Sequence, residues 1–317
     1  MIERPYGELL GAAHSLLGAE LEPLSEGYGG ETFLVRIGLE ELVLRLYARE
    51  PERAEIDAAL LDLLHGLLPV PDVLELRLPR PEMPVALLLT SRLPGRRLDV
   101  VLAELGPQDP ARTELGRAVG AVLARLSGVP FVAPGRLVVD TDSRLGAPQL
   151  SVRPLHADAG DLVAWVEANL DLEPFASWPA SMRDGLVAGA NEGADLLDRV
   201  ERTCLVHGDF SPANLLVDPH EHTVTGLVDW AHAHAGPPVT DLGRLFRLEP
   251  AGPFRSAVID ALRALAPPLP VDLTGAARAA DVFALVELAV QQVTTPAVSG
   301  ARAVLAGYAR ASSLALG

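Results

Sequence analysis

The chain has 317 residues, 49% of them hydrophobic, and a formal net charge of -16, enough apolar material for one large domain or two of moderate size. No apolar run reaches the roughly 20 residues a membrane helix needs, and Met1 to Glu20 lacks the basic start and apolar centre of a signal peptide, so a cytoplasmic protein with no membrane contact is expected. The acidic balance disfavours nucleic acid and favours cationic ligands, the single Cys204 excludes an internal disulfide and a cysteine-based zinc cage, and all 26 basic residues are arginine, which excludes a Walker A loop and Schiff-base lysine chemistry.

In chain order, Thr32 to Ile37 and Glu41 to Tyr47 alternate at period two and predict two strands joined by a turn at Gly38. Pro51 opens a helix whose apolar positions Ile56, Ala59, Leu60, Leu63, Leu64 and Leu67 recur at helical spacing until Pro69 and Pro71 stop it. Val73 to Leu78 and Val85 to Thr90 predict two more strands, and Ser91 to Gly95 breaks the pattern as a hinge. Beyond it the chain turns mostly helical, with helices predicted over Thr113 to Leu126, Asp161 to Leu170, Gly185 to Val200, Arg255 to Leu265, Asp281 to Val293 and Ala301 to Ser312. The expected architecture is α+β: a small β-rich N-terminal lobe over residues 1–91 and a larger, mostly helical lobe over 92–317.

The densest chemistry lies in His207-Gly208-Asp209, then Asn214-Leu215-Leu216, then Gly226-Leu227-Val228-Asp229-Trp230. Leu215 to Val217 and Val224 to Val228 flank the turn-rich Asp218 to His222 and should pair as a hairpin, bringing Asn214 and Asp229 together. Asp209 sits on the loop that enters the hairpin, where a carboxylate takes a proton from an incoming hydroxyl. Asn214 and Asp229 offer the oxygen ligands that magnesium prefers beside a nucleotide triphosphate. His232 with His234, and His220 with His222, lack a third ligand and read as ordinary loop residues. Cys204 reads as a small buried core residue, and Trp165, Trp178 and Trp230 as core or pocket wall.

His-Gly-Asp-x-x-x-x-Asn followed by Val-Asp-Trp resembles the aminoglycoside phosphotransferase family and its small-molecule kinase relatives, which share the protein-kinase-like two-lobed fold. The resemblance implies that Asp209 is the catalytic base, that Asn214 and Asp229 are magnesium ligands, that His207 braces the catalytic loop, and that Asp241 supports it. It implies that Gly27, Gly29 and Gly30 form the loop over the nucleotide, although a simple turn would use the same glycines. Arg45 stands where the fold ordinarily carries a phosphate-binding lysine, and Glu55, with Glu52 second, is its expected partner. The backbone from Thr90 to Leu93, with Ser91 and Leu93 as contacts, is the expected adenine hinge. Gly236-Pro237-Pro238 departs from the family's Gly-Asp-Pro by lacking a carboxylate.

The implied activity is transfer of phosphate from ATP, or GTP, with Mg2+, to the hydroxyl of a small molecule, with an aminoglycoside or other basic antibiotic, in an antibiotic-resistance role, the expected acceptor. Alternatives are a metabolic kinase for homoserine, choline or a similar acceptor, and a silent kinase-like binding module. A protein kinase is disfavoured by the absence of Asp-Phe-Gly and Ala-Pro-Glu segments. The chain is expected to act as a monomer or homodimer.

Overall fold

The computed structural model describes residues 20–27, 30–81, 85–140, 149–154, 160–249, 251–266 and 268–315. The described parts of Met1–Leu98, Val138–Ser151 and Asn214–Ala231 form one compact unit, and those of Asp99–Leu137, Val152–Ala213 and His232–Gly317 form a second. Among the described residues no helix is long and apolar enough to cross a membrane.

The first unit opens with strands β1 (Glu20–Gly27), β2 (Gly30–Ile37) and β3 (Glu40–Tyr47), helix α1 (Arg53–Leu64), and strands β4 (Val73–Arg77) and β5 (Ala86–Ser91). The strands form an antiparallel sheet in the order β1-β2-β3-β5-β4. The period-two pattern becomes register: Phe33 lies opposite Leu44, which lies opposite Leu89, and Leu46 lies opposite Leu87. With Val35 these residues make one buried cluster on one face of the sheet.

Helix α1 corrects the predicted phase. Its buried residues are Ala54, Asp57, Ala58, Leu60, Leu61 and Leu64, whereas Leu63 and Leu67 of the predicted stripe are exposed. The cause is Asp57, a carboxylate on the inner face, which a reading based on apolar spacing assigns to solvent.

Chain order continues with β6 (Arg96–Arg97), α2 (Leu98–Glu104), α3 (Pro110–Ser127), β7 (Gly135–Asp140), β8 (Gln149–Pro154), α4 (Leu162–Asn169) and α5 (Ala180–Leu197). Then come β9 (Cys204–Val206), β10 (Leu215–Asp218), β11 (Thr223–Leu227), β12 (His234–Gly236), α6 (Thr240–Leu248), α7 (Pro253–Leu265), α8 (Leu273–Ala289) and α9 (Pro296–Ala311). In the first unit β11, β10 and β6 form a three-stranded sheet; a four-stranded sheet runs β8-β7-β12-β9.

Several helices begin earlier than apolar spacing alone suggests, because capping residues sit upstream. Asp109 accepts from Ala111 N before α3, Asp272 from Gly275 N before α8, and Thr295 from Val298 N before α9. The second unit's main core joins α4, α5, α8 and α9 through Val166, Leu186, Val282, Leu285 and Leu305. Elsewhere in that unit α3 lies along α7, and a Cβ at Gly120 would meet the Val258 carbonyl oxygen at 2.6 Å, so this close approach requires glycine.

Candidate active site

In the second unit, the buried strand β9 delivers His207, Gly208 and Asp209. The Asp241 carboxylate, in the first turn of α6, accepts from His207 N at 2.8 Å and from Gly208 N at 2.9 Å. His207 is fully buried, and its Nδ1 accepts from Asp209 N at 3.2 Å. Gly208 has φ +78°, and a Cβ there would lie 2.2 Å from the His232 carbonyl oxygen, so the turn into Asp209 tolerates only glycine. Burial pushes the Asp241 carboxyl up to about 6 against the opposing pull of its two N–H donors.

The Asp209 carboxylate forms an ion pair with Arg244, one turn beyond Asp241 on α6. Arg247, one turn further, reaches Asp281 at 3.5 Å. Nothing in the motif spacing announces Arg244; its only sequence signal is its position three residues after Asp241.

Cys204, at the start of the same strand, is buried, and burial with the Asp241 charge pushes its thiol up to about 12. The thiol is therefore expected to resist iodoacetamide at pH 8 in the native protein and to react fully once denatured. Rapid native labelling, measured by mass, would show that this strand opens.

In the first unit, the hairpin forms as expected: Leu215 pairs with Leu227 and Val217 with Val224. Val228 N donates to the Asn214 carbonyl at 3.0 Å, which places Asn214 beside the segment carrying Asp229. Asp229 has φ +64°, a left-handed conformation costing a side-chain-bearing residue roughly 1–2 kcal/mol, least for Asp and Asn. Trp230, buried, donates its indole N–H to the Leu227 carbonyl at 3.2 Å.

Arg45, in β3, donates Nη1 to Asp229 Oδ1 at 3.2 Å, and its guanidinium lies 5.3 Å from the Tyr47 ring centroid. Its Nε is buried without a hydrogen-bond partner among the described residues. The expected partnership with Glu55 does not form: Arg45 pairs with Asp229, and Glu55 makes no ion pair with a described residue. The inward acid of α1 is Asp57, which accepts from Tyr47 OH at 2.7 Å and from Arg53 Nε at 2.7 Å. Arg53 also donates to the Trp230 carbonyl. Burial and the Asp57 charge push the Tyr47 phenol well above its ordinary range, so it remains the donor.

The other expected contacts are placed as follows. Gly27 pairs with Gly30 where β1 meets β2, while Gly29 lies outside the described residues. Ser91 ends β5, and its N–H is taken by the Asp72 carbonyl at 3.0 Å. Leu93 lines a cavity of about 360 Å³ with Glu41, Arg92, Pro94 and Gly95. In the helical core, Trp165 donates Nε1 to the Phe283 carbonyl at 3.3 Å, and Trp178 packs edge-on against Phe175.

Among the described residues no group of three or more His, Cys, Asp or Glu side chains could hold a metal ion. Magnesium is commonly bound by one or two carboxylates, with substrate phosphates and water completing its octahedron. Asn214 and Asp229 supply hard oxygen donors, and the unpaired Nε of Arg45 is a donor suited to a phosphate oxygen.

This fold, with a β-rich N-terminal part and a helical remainder, is the kinase-like one expected from the sequence, and solved structures share it. APH(4)-Ia is similar at 16% identity over 97% of this chain and 98% of that one, with a TM-score of 0.65. The GDP and kanamycin complex of APH(2")-IIIa is similar at 19% identity over 92% and 93%, with a TM-score of 0.65. An aminoglycoside-3'-phosphotransferase of type VIII is similar at 21% identity over 87% and 99%, with a TM-score of 0.53. No curated protein sequence matches the chain significantly. Residues 20–278 match the model of the phosphotransferase enzyme family, to which this chain belongs.

Proposed function

We propose that the chain is a kinase that transfers the γ-phosphate of ATP or GTP to a hydroxyl of a small molecule. The observation that carries this reading is the contact of Arg45 with Asp229 across 184 positions of sequence, which sets the strand cation beside the motif carboxylate. Asp209 orients the acceptor hydroxyl and takes its proton as the oxygen attacks phosphorus. Asn214 and Asp229 hold Mg2+, which when bound neutralises charge on the phosphate oxygens. Arg45 donates to the same oxygens, Gly27, Gly29 and Gly30 leave the backbone open above them, and Ser91 and Leu93 meet the base. The Asp241 carboxylate keeps the Asp209 loop in its turn.

An aminoglycoside is the favoured acceptor. A thermostable mutant of APH(4)-Ia, similar at 17% identity over 95% of this chain and 96% of that one with a TM-score of 0.59, forms a ternary complex with ADP and hygromycin B. The net charge of -16 suits a polycation. A second reading, a metabolic kinase for a hydroxy acid such as homoserine, is supported by Arg244 Nε and Arg247 Nη1, buried without hydrogen-bond partners among the described residues on the helix that carries Asp241. A panel of aminoglycosides, macrolides, homoserine and choline, incubated with Mg2+ and ATP or GTP, separates the readings by which acceptor gains the mass of a phosphoryl group. No labelled acceptor and no magnesium-dependent nucleotide consumption would sink the kinase reading.

Arg45→Ala is expected to raise the KM for nucleotide about ten- to a hundredfold, the worth of a charge-assisted hydrogen bond, with a smaller effect on the acceptor KM. Unchanged nucleotide kinetics would place the phosphate contact elsewhere.

A further inference from the structure

We infer that Arg53, oriented by Asp57, is a positioning residue of the phosphate-transfer site: it clamps the Trp230 carbonyl and thereby fixes the left-handed turn that presents the Asp229 carboxylate to a divalent cation. The inference rests on the kinase reading above and extends it to residues outside the motif.

A non-glycine residue at φ +64° persists only where its surroundings hold it. Upstream of Asp229 the hold comes from Val228 N on the Asn214 carbonyl. Downstream it comes from the Arg53 guanidinium on the Trp230 carbonyl. Arg53 is itself fixed, since its Nε is bound to Asp57 Oδ1 while Asp57 Oδ2 takes the Tyr47 hydroxyl. The Tyr47 ring then faces Arg45, and Arg45 returns to Asp229. Asp229, Trp230, Arg53, Asp57, Tyr47 and Arg45 thus form a closed circuit, two cations against two carboxylates, with Arg53 and Asp57 side chains only 15% and 5% exposed.

Stability alone gives little reason for such a circuit. The desolvation cost of a buried ion pair offsets most of its attraction, and apolar residues of similar volume often serve as well. The fork of an arginine does what an apolar residue cannot: it binds a carboxylate and a backbone carbonyl at once, in fixed relative positions. The residue so fixed is the neighbour of Asp229.

The test is titration calorimetry of ADP against the full chain, with and without Mg2+, for wild type, Arg53→Met, Arg53→Lys and Tyr47→Phe. In the wild type, Mg2+ is expected to tighten ADP binding. Arg53→Met should keep the magnesium-free affinity and lose about ten- to a hundredfold of the magnesium-dependent gain, the usual consequence of removing a group that orients a metal ligand. In kinetics the same variant should raise the apparent KM for Mg2+ more than it lowers kcat. Arg53→Lys, which keeps the charge but not the fork, should recover part of the loss. Equal magnesium dependence in wild type and Arg53→Met overturns the inference while leaving the kinase reading intact; failure of the wild type to bind either ADP or, in a parallel titration, GDP overturns both. Should Arg53→Met not fold, Tyr47→Phe removes only one hydroxyl, and a smaller loss in the same direction is expected. An unchanged magnesium dependence there overturns the inference.

Discussion

Asp209→Asn is expected to lower turnover about a hundred- to ten-thousandfold, the range for removing a general base, while nucleotide affinity stays near the wild-type value. The amide retains the shape of the carboxylate but takes no proton, so the acceptor hydroxyl must lose its own to water. The ion pair with Arg244 goes as well, and because both side chains are partly exposed the stability cost should stay near about 1 kcal/mol. Steady-state kinetics beside a nucleotide titration and a melting curve separate these effects. Turnover close to wild type would remove Asp209 from the reaction.

Asp241→Ala should be the most damaging change for the fold around the site. It strands the His207 and Gly208 N–H groups in the interior, and each buried unsatisfied donor costs about 1–3 kcal/mol, so a loss of about 2–6 kcal/mol is expected. Its pH dependence has a definite sign. The carboxyl is raised by burial to about 6 in the folded chain, against an ordinary value of about 3.9. The folded state therefore binds this proton more readily, and the group's contribution to stability grows as pH falls through 6 and shrinks as pH rises. Denaturant unfolding should show the gap between wild type and Asp241→Ala widening by about 1 kcal/mol from pH 7.5 to 5.5. A gap that stays flat between those pH values would mean that the buried carboxyl is ionised throughout.

The candidate motif stands out in the sequence because its chemistry is concentrated: Asp209, Asn214 and Asp229 lie within one loop and one hairpin, and turn residues mark the hairpin's ends. Strands β2 and β3 were legible because each alternates along one buried face. The partners of Arg45 and Asp229 were not. Periodicity scores an aspartate as solvent-facing, so the stripe of Ile56, Ala59, Leu60, Leu63, Leu64 and Leu67 defines the inner face of α1 without Asp57, and Glu55, with Glu52 second, becomes the expected partner. What draws Asp57 inward is Tyr47 on β3 and Arg53 four residues before it, a pairing of strand and helix that no single-segment pattern contains. Arg244 was missed for the same reason, since its meaning depends on where α6 sets Asp241.

The guanidinium on β3 also governs which chemical tools can see this protein. Acyl-phosphate nucleotide probes report kinases by transferring their acyl group to a lysine amine near the triphosphate. This chain has no lysine side chain anywhere, and a guanidinium that stays protonated is a poor nucleophile. Surveys that enrich kinases by amine acylation would pass over it, whereas reagents directed at arginine, such as dicarbonyls, would find Arg45 and should be blocked by bound nucleotide.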